Sequence, residues 1–146
     1  PEGVFSADTR YQGYLDVCRE RGIQPQALVC DYDFDAGLAM TEELLRRYPD
    51  VDGILACNDV VAISIYKILY KKNISVPEQI QLIGFDDITF SSLITPELTT
   101  IHQPIQEMAQ RAAELILEGT DTGKTGTHHV LPVSLIQRET TMKKRI

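Results

Sequence analysis

Short apolar runs alternate with helix-like segments along most of this chain, and this alternation restricts the fold more than any other feature. The apolar runs are too short for ordinary helices and contain few charged residues, which is typical of strands buried on both faces of a sheet. They begin at Ala27, Gly53, Ile80, Leu98 and Val130. The alternation predicts an α/β fold built on a parallel sheet.

Helix signals fill most of the spaces between the runs. The predicted helices span 9–21, 36–48, 59–72 and 105–118. Asn58 or Asp59 is expected to cap the third helix, while Gly22 and Gly119 are expected to end the first and the last. The first helix has no strand before it, so its strand is expected upstream of Pro1.

Charge and cysteine content exclude several kinds of protein. The 146 residues include 14 basic and 21 acidic side chains, for a net charge of −7. Such a chain would repel nucleic-acid phosphates, and it lacks the long apolar run that a membrane helix needs. Cys18, Cys30 and Cys57 follow no zinc-binding spacing and are expected to be reduced. We expect no metal site and no cofactor.

Polar clusters occur at four predicted strand ends or helix starts. In an open parallel sheet, ligands bind at the carboxyl ends of the strands. Arginine, asparagine and aspartate can hold sugar hydroxyls, and an aromatic ring can stack on the C–H face of a sugar. The same residue types also cap helices and form turns, so the clusters leave both roles open. They are Asp8-Thr9-Arg10, Asp31-Tyr32-Asp33-Phe34-Asp35, Asn58-Asp59 and Asp86-Asp87.

One cluster also fits an enzymatic pattern. Residues 28–33 form an apolar run followed by Asp-x-Asp, as in phosphatases whose first aspartate attacks phosphorus and whose second acts as acid or base. Asp86 and Asp87 would then hold Mg²⁺. However, Phe34 and Asp35 stand where that pattern expects threonine or valine, and no later lysine is clearly placed. A magnesium-dependent phosphatase is therefore the weaker alternative.

Five longer motifs cover nearly the whole chain. In their order and spacing they resemble the LacI/GalR family of bacterial transcriptional regulators, and this combination is far more specific than any single motif above. The motifs are DGILACND at 52–59, VPEQIQLIGFDD at 76–87, PELTTIHQP at 96–104, MAQRAAE at 108–114 and LPVSLIQRETT at 131–141.

The resemblance implies a core similar to periplasmic sugar-binding proteins, in which two α/β subdomains close on an effector. A helix-turn-helix headpiece would precede this core, and the chain resembles only the core's C-terminal part. Residues 1–103 are expected to form the C-terminal effector-binding subdomain without its first strand. Residues 104–123 would belong to the otherwise absent N-terminal subdomain. Residues 124–146 would return to the C-terminal subdomain as a strand and tail.

The resemblance also implies a set of effector-binding residues. Arg10 is expected to bind polar groups of the effector as a charged, forked donor. Asn58 would donate and accept through its amide, and Asp86 would accept from hydroxyls. Tyr32 or Phe34 would supply the aromatic side of the pocket, with Tyr32 at the preferred spacing.

The function implied by the resemblance is a cytoplasmic, sugar-responsive transcriptional regulator, more often a repressor, without catalysis. The effector would be a small sugar or its phosphate, with a leaning towards ribose-type regulators. Operator DNA would be bound only through the headpiece, and no membrane contact is expected. The main alternative is a periplasmic sugar-binding protein that feeds a transporter. Three observations argue against it: the three cysteines, the Gly-Phe-Asp-Asp motif and the lack of a visible export signal.

The expected assembly is a homodimer. The helix that begins near Asp59 is apolar on almost every side, and Phe90 and Leu93 lie in a polar segment with little core to join. Apolar groups placed in this way often form a contact surface with a partner. We therefore predict a dimer interface that includes Ile63, Lys67, Phe90 and Leu93.

Overall fold

The computed structural model describes residues 3–122 and 129–142. The domain predictions for 1–103, 104–123 and 124–146 therefore include some residues outside the described ranges. The described elements are α1 (Phe5–Arg21), α2 (Phe34–Arg47), β1 (Gly53–Leu55), α3 (Asp59–Lys71), β2 (Gln81–Asp86), a 3-10 turn (Thr89–Ser92), β3 (Thr99–His102), α4 (Ile105–Thr122) and β4 (Ser134–Ile136).

One sheet contains the four described strands in the order β1-β2-β3-β4. The first three strands are parallel, with Ile54 opposite Leu82 and Gly84 opposite Thr100. This arrangement confirms the predicted α/β fold and its mostly parallel sheet. The edge strand β4 runs antiparallel to β3. It begins only at Ser134, because Pro132 cannot donate a backbone hydrogen bond to a ladder.

The prediction of a strand at 27–30 is wrong. Residues 23–31 form no regular secondary structure, and Val29 is 57% exposed. A strand exists only where a neighbouring backbone completes its hydrogen bonds, and none of the described strands pairs with this segment. The apolar pattern identified a segment capable of being a strand but carried no information about its partner.

Side-chain caps fix the starts of two helices. The Asn58 Oδ1 accepts a 2.8 Å hydrogen bond from the Val61 amide, which confirms the predicted start of α3. The Asp33 Oδ1 accepts from the Ala36 amide at 2.8 Å, so α2 begins two residues earlier than predicted. At the other end of the chain, α4 continues past Gly119 instead of ending there.

The core lies between the sheet and α3, with α2 packed on the outer side of α3. Leu69, Leu82 and Leu98 are fully buried, so the whole apolar surface of each side chain is removed from water and stabilises the fold. Gly37 of α2 faces Ser64 of α3, and the contact leaves no room for a side chain at position 37. This packing fixes α3 against the sheet, and therefore fixes the position of its first residues at the sheet edge.

Residues after β4 run back along the sheet and tie two of its strands together. Thr140 is completely buried, and its backbone oxygen accepts from the Leu82 amide at 2.9 Å. Its hydroxyl donates to the Leu82 carbonyl at 2.7 Å and accepts from the Thr99 amide at 2.8 Å. One threonine thus joins β2 to β3 where both strands begin.

Helix α4 lies largely apart from the other described helices and strands. Ile105 and Ile116 are 61% and 71% exposed, although the helix has a clearly apolar side. Of the helices in the described residues, none combines the length and apolarity needed to cross a bilayer. The assignment of 104–123 to a different subdomain stays a prediction.

Candidate functional site

Three predicted binding residues, Arg10, Asn58 and Asp86, meet at the carboxyl ends of β1 and β2. The Arg10 Nη1 donates to the Cys57 carbonyl at 2.7 Å, immediately before Asn58. Its Nη2 lies 3.9 Å from the Asp86 Oδ1. The side chains of Arg10 and Asp86 are 25% and 29% exposed, so both remain accessible from solvent. These polar groups therefore form a cluster at this edge of the sheet.

The guanidinium of Arg10 lies over the ring of Phe85, 3.7 Å from its centroid. A cation over an aromatic face is held both by electrostatic attraction and by packing. Together with the Cys57 carbonyl, this contact fixes the plane of the guanidinium. Sequence reasoning did not select Phe85, although its position directly before Asp86 on β2 was a usable signal.

Asn58 is 8% exposed and uses the two ends of its amide differently. The Oδ1 caps α3 by accepting from Val61. The Nδ2 has no hydrogen-bond acceptor among the described residues. Because the amide nitrogen can only donate, it is the group of Asn58 that a ligand could engage.

Asp86 is held by Gln103, a residue that sequence reasoning missed. The Gln103 Nε2 donates to the Asp86 Oδ1 at 2.6 Å, while the Oδ2 has no described donor. Gln103 follows β3 directly, so the rule that directed attention to the other strand ends could have found it. Burial raises the pKa of the Asp86 carboxyl above its usual value, as does the charge of Asp59, while Arg10 and Gln103 lower it.

The neighbouring Asp87 points into a separate network. Its Oδ1 accepts from the Arg138 Nη2 at 2.6 Å, and its Oδ2 lies 2.9 Å from the His102 Nδ1. Burial opposes ionisation of Asp87, but the hydrogen bonds from Arg138 and His102 outweigh it and lower the pKa of this carboxyl. Both aspartates have positive φ angles, 117° at Asp86 and 55° at Asp87. The strained backbone lets two adjacent carboxylates serve different partners.

Asp59 is completely buried and ties the site to the surrounding elements. Its Oδ1 accepts from the Thr100 hydroxyl at 2.6 Å. Its Oδ2 accepts from the Ser91 hydroxyl at 2.6 Å and from the Ile88 amide at 3.0 Å. The carboxylate lies so close to Gly84 that a side chain there would collide with it. The start of α3 is thereby fixed to β2, β3 and the 3-10 turn.

The two predicted aromatic residues lie in different surroundings. The Tyr32 hydroxyl is buried and has no hydrogen-bond partner among the described residues. Phe34 begins α2, and its ring centroid lies 5.1 Å from the Lys67 Nζ. No hydrogen bond or cation–ring contact joins either ring to Arg10, Asn58 or Asp86. The structure thus brings Phe34 next to Lys67, which was predicted for the dimer interface instead.

The predicted interface residues differ in exposure. Phe90 and Leu93 are 62% and 67% exposed, in and just after the 3-10 turn. Lys67 is exposed, whereas Ile63 is half-buried against the core. We refer to Phe90 and Leu93 as the apolar patch. Asp59 anchors its backbone through Ile88 and Ser91, so the patch is presented by a fixed support.

The arrangement does not resemble a phosphatase centre. Asp33 is used as a helix cap, while Asp86 and Asp87 are engaged by cationic and amide donors. No group of three or more potential metal ligands occurs within residues 3–122 and 129–142. The geometry instead offers hydrogen-bond donors and acceptors to a polar ligand.

Comparisons with known proteins agree with this geometry. The family of periplasmic binding protein-like domains matches residues 1–141. The ribose operon repressor of Halalkalibacterium halodurans is 32% identical over 97% of the chain and 43% of the repressor.

A solved complex of the transcriptional regulator CelR with cellobiose is 28% identical, with a TM-score of 0.90 over 96% of this chain and 44% of that one. A lac repressor dimer bound to operator and the anti-inducer ONPF is also 28% identical, with a TM-score of 0.87 over 94% of this chain and 49% of that one. The chain spans less than half the length of each.

Proposed function

This chain belongs to the periplasmic binding protein-like domain family, and from that membership we propose that it senses a sugar within a LacI-type transcriptional regulator. In this proposal the intact regulator is cytoplasmic and represses transcription, and the effector changes its affinity for operator DNA. The chain performs no catalysis. The names of its relatives support this proposal: a ribose operon repressor, a cellobiose-bound regulator and an operator-bound repressor.

The observation that carries the proposal is the set of unused groups at the site. Asn58 offers an amide donor, and Asp86 offers one carboxylate oxygen as an acceptor. Arg10 adds further N–H donors beside them. Hydroxyl groups both donate and accept, so neighbouring hydroxyls of a sugar match this set. Tyr32 or Phe34 is the proposed aromatic side of the pocket.

The remainder of the pocket would come from the N-terminal subdomain. Residues 1–103 and 124–146 form the C-terminal effector-binding subdomain in this proposal, and 104–123 belong to its N-terminal counterpart. The separate position of α4 supports this division. A sugar that contacts both subdomains binds the closed form better than the open one. This difference in affinity is what shifts the regulator between its two states.

The test of this function is DNA binding with and without sugar. The isolated chain is acidic, and in this proposal operator DNA is read by a headpiece outside it, so we expect it to give no shift of operator DNA in a gel assay. The intact regulator should shift operator DNA, and one sugar of a panel should change that affinity. Salt-dependent, specific binding by the isolated chain would mean that the DNA-reading element is misplaced. An intact regulator that ignores every sugar would contradict the sensing role.

Dimerisation is proposed to involve the apolar patch together with Ile63 and Lys67. A two-fold dimer would bury the same patch on both subunits. Phe90→Asp or Leu93→Asp in the intact regulator should therefore shift the sedimentation profile towards monomer at micromolar concentration. Ile23→Asp is a matched control, since Ile23 is similarly exposed at 58% but lies after α1. If both patch variants sediment as full dimers, the interface lies elsewhere.

A further inference from the structure

A sugar effector can be neutral or can carry a phosphate or carboxylate group, and the charges around the site distinguish these classes. Resting on the proposed function, we propose that the effector is a neutral sugar and that the site discriminates against its phosphorylated or acidic derivatives. The group that enforces this choice is the Asp86 carboxylate beside Arg10.

The positive charge of Arg10 is already balanced. Its Nη2 faces Asp86 at 3.9 Å, its Nη1 is bonded to the Cys57 carbonyl, and one face is covered by Phe85. An anion is best held by an arginine that presents two parallel N–H groups without a competing carboxylate. A phosphate that reached Arg10 would lie beside Asp86, where like charges repel strongly in a partly buried site.

A further carboxylate, that of Asp59, acts on Asp86, whereas the guanidinium of Arg138 is committed elsewhere. Burial raises the pKa of the Asp86 carboxyl, and the nearby negative charge of Asp59 raises it further. Arg138 is occupied by Asp87 at 2.6 Å and by the Leu98 carbonyl at 2.8 Å.

The starts of α2 and α3 do not provide an anion site either. Free amides at a helix N-terminus attract phosphate. In α3, however, Asn58 caps the Val61 amide, and Asp59 places a carboxylate in the first turn. In α2, Asp33 caps the Ala36 amide, and Asp35 is in the first turn. At both helices a carboxylate already offsets the positive end of the dipole.

Matched pairs of sugars test the inference by calorimetry on the intact regulator. Suitable pairs are ribose with ribose 5-phosphate, glucose with glucose 6-phosphate, and glucose with glucuronate. We expect a neutral sugar to bind and its charged partner to bind at least about 30-fold more weakly. Asp86→Asn should lower the ratio of the two dissociation constants, charged sugar over neutral sugar, at least about threefold, because it removes the repelling charge and preserves the shape of the side chain. Asp50→Asn is the control: Asp50 is exposed and precedes β1, at the opposite end of that strand from the site, so its loss should leave the ratio unchanged.

The possible outcomes separate the inference from the function on which it rests. A charged sugar that binds as tightly as its neutral partner, or more tightly, overturns the neutral-ligand inference and leaves sugar sensing intact. An unchanged ratio in Asp86→Asn overturns the role given to that carboxylate. If no sugar of either kind binds, sugar sensing itself is contradicted and the inference falls with it.

Discussion

Replacing Asp59 with alanine is expected to lower the free energy of unfolding by about 3–5 kcal/mol, because two buried hydroxyls and a half-buried amide would lose their acceptor at once. The Thr100 hydroxyl, the Ser91 hydroxyl and the Ile88 amide all bond to this carboxylate. No water can replace the lost acceptor without entering a site that is closed to solvent. Urea unfolding followed by circular dichroism measures the change.

The matched control for this prediction is Asp35→Ala. Asp35 also lies in the first turn of a helix, but it is exposed, so only the interaction with the helix dipole is lost. We expect a change of about 0.3–1 kcal/mol from this variant. Equal losses in the two variants would show that the buried hydrogen bonds of Asp59 contribute little. Asp59→Asn should lie between them, since one oxygen acceptor is retained.

Arg10→Ala in the intact regulator is expected to weaken effector binding by about 10- to 150-fold, which corresponds to about 1.5–3 kcal/mol for a lost charged hydrogen bond. Asp86→Ala and Asn58→Ala should have effects of similar size. Asn58→Asp is the sharper variant, since it keeps the oxygen that caps α3 and loses the amide donor. Isothermal titration calorimetry gives the affinities.

Arg19→Ala controls for the loss of a cation on α1. Arg19 is 74% exposed and pairs only with its near neighbour Asp16 among the described residues, so effector affinity should stay at the wild-type value. Circular dichroism should show that Arg10→Ala remains folded. Wild-type affinity in Arg10→Ala, Asn58→Ala and Asp86→Ala together would refute the site.

The sequence predicted those elements whose signals are local. Asn58 specified the start of α3 because its side chain caps the helix that follows it. The segment at 27–30 was not predictable in the same way, since apolar residues indicate a potential strand while the pairing depends on a distant backbone. The direction of β4 also depends on its partner β3. No residue within β4 specifies an antiparallel neighbour.

The candidate site shows the same division between local and distant information. The family resemblance selected Arg10, Asn58 and Asp86, and the rule that parallel strands bring their carboxyl ends to one edge grouped the clusters that contain them. Their individual chemistry was not predictable, because it depends on contacts such as Gln103 with Asp86 and Phe85 with Arg10. The different partners of Asp86 and Asp87 arise from backbone angles that an Asp-Asp pair does not reveal.

The link made by Thr140 has a consequence for the order in which this region is built. Leu82 and Thr140 are 58 positions apart, so the β2 backbone is synthesised well before the threonine that bonds to it. The contacts between α2 and α3 involve closer positions and can form earlier. Until Thr140 is synthesised, the Leu82 amide and carbonyl and the Thr99 amide lack this partner. In that interval the beginnings of β2 and β3 can bind chaperones or pair with the wrong segment. The link between these two strands is therefore complete only after residue 140 has been synthesised.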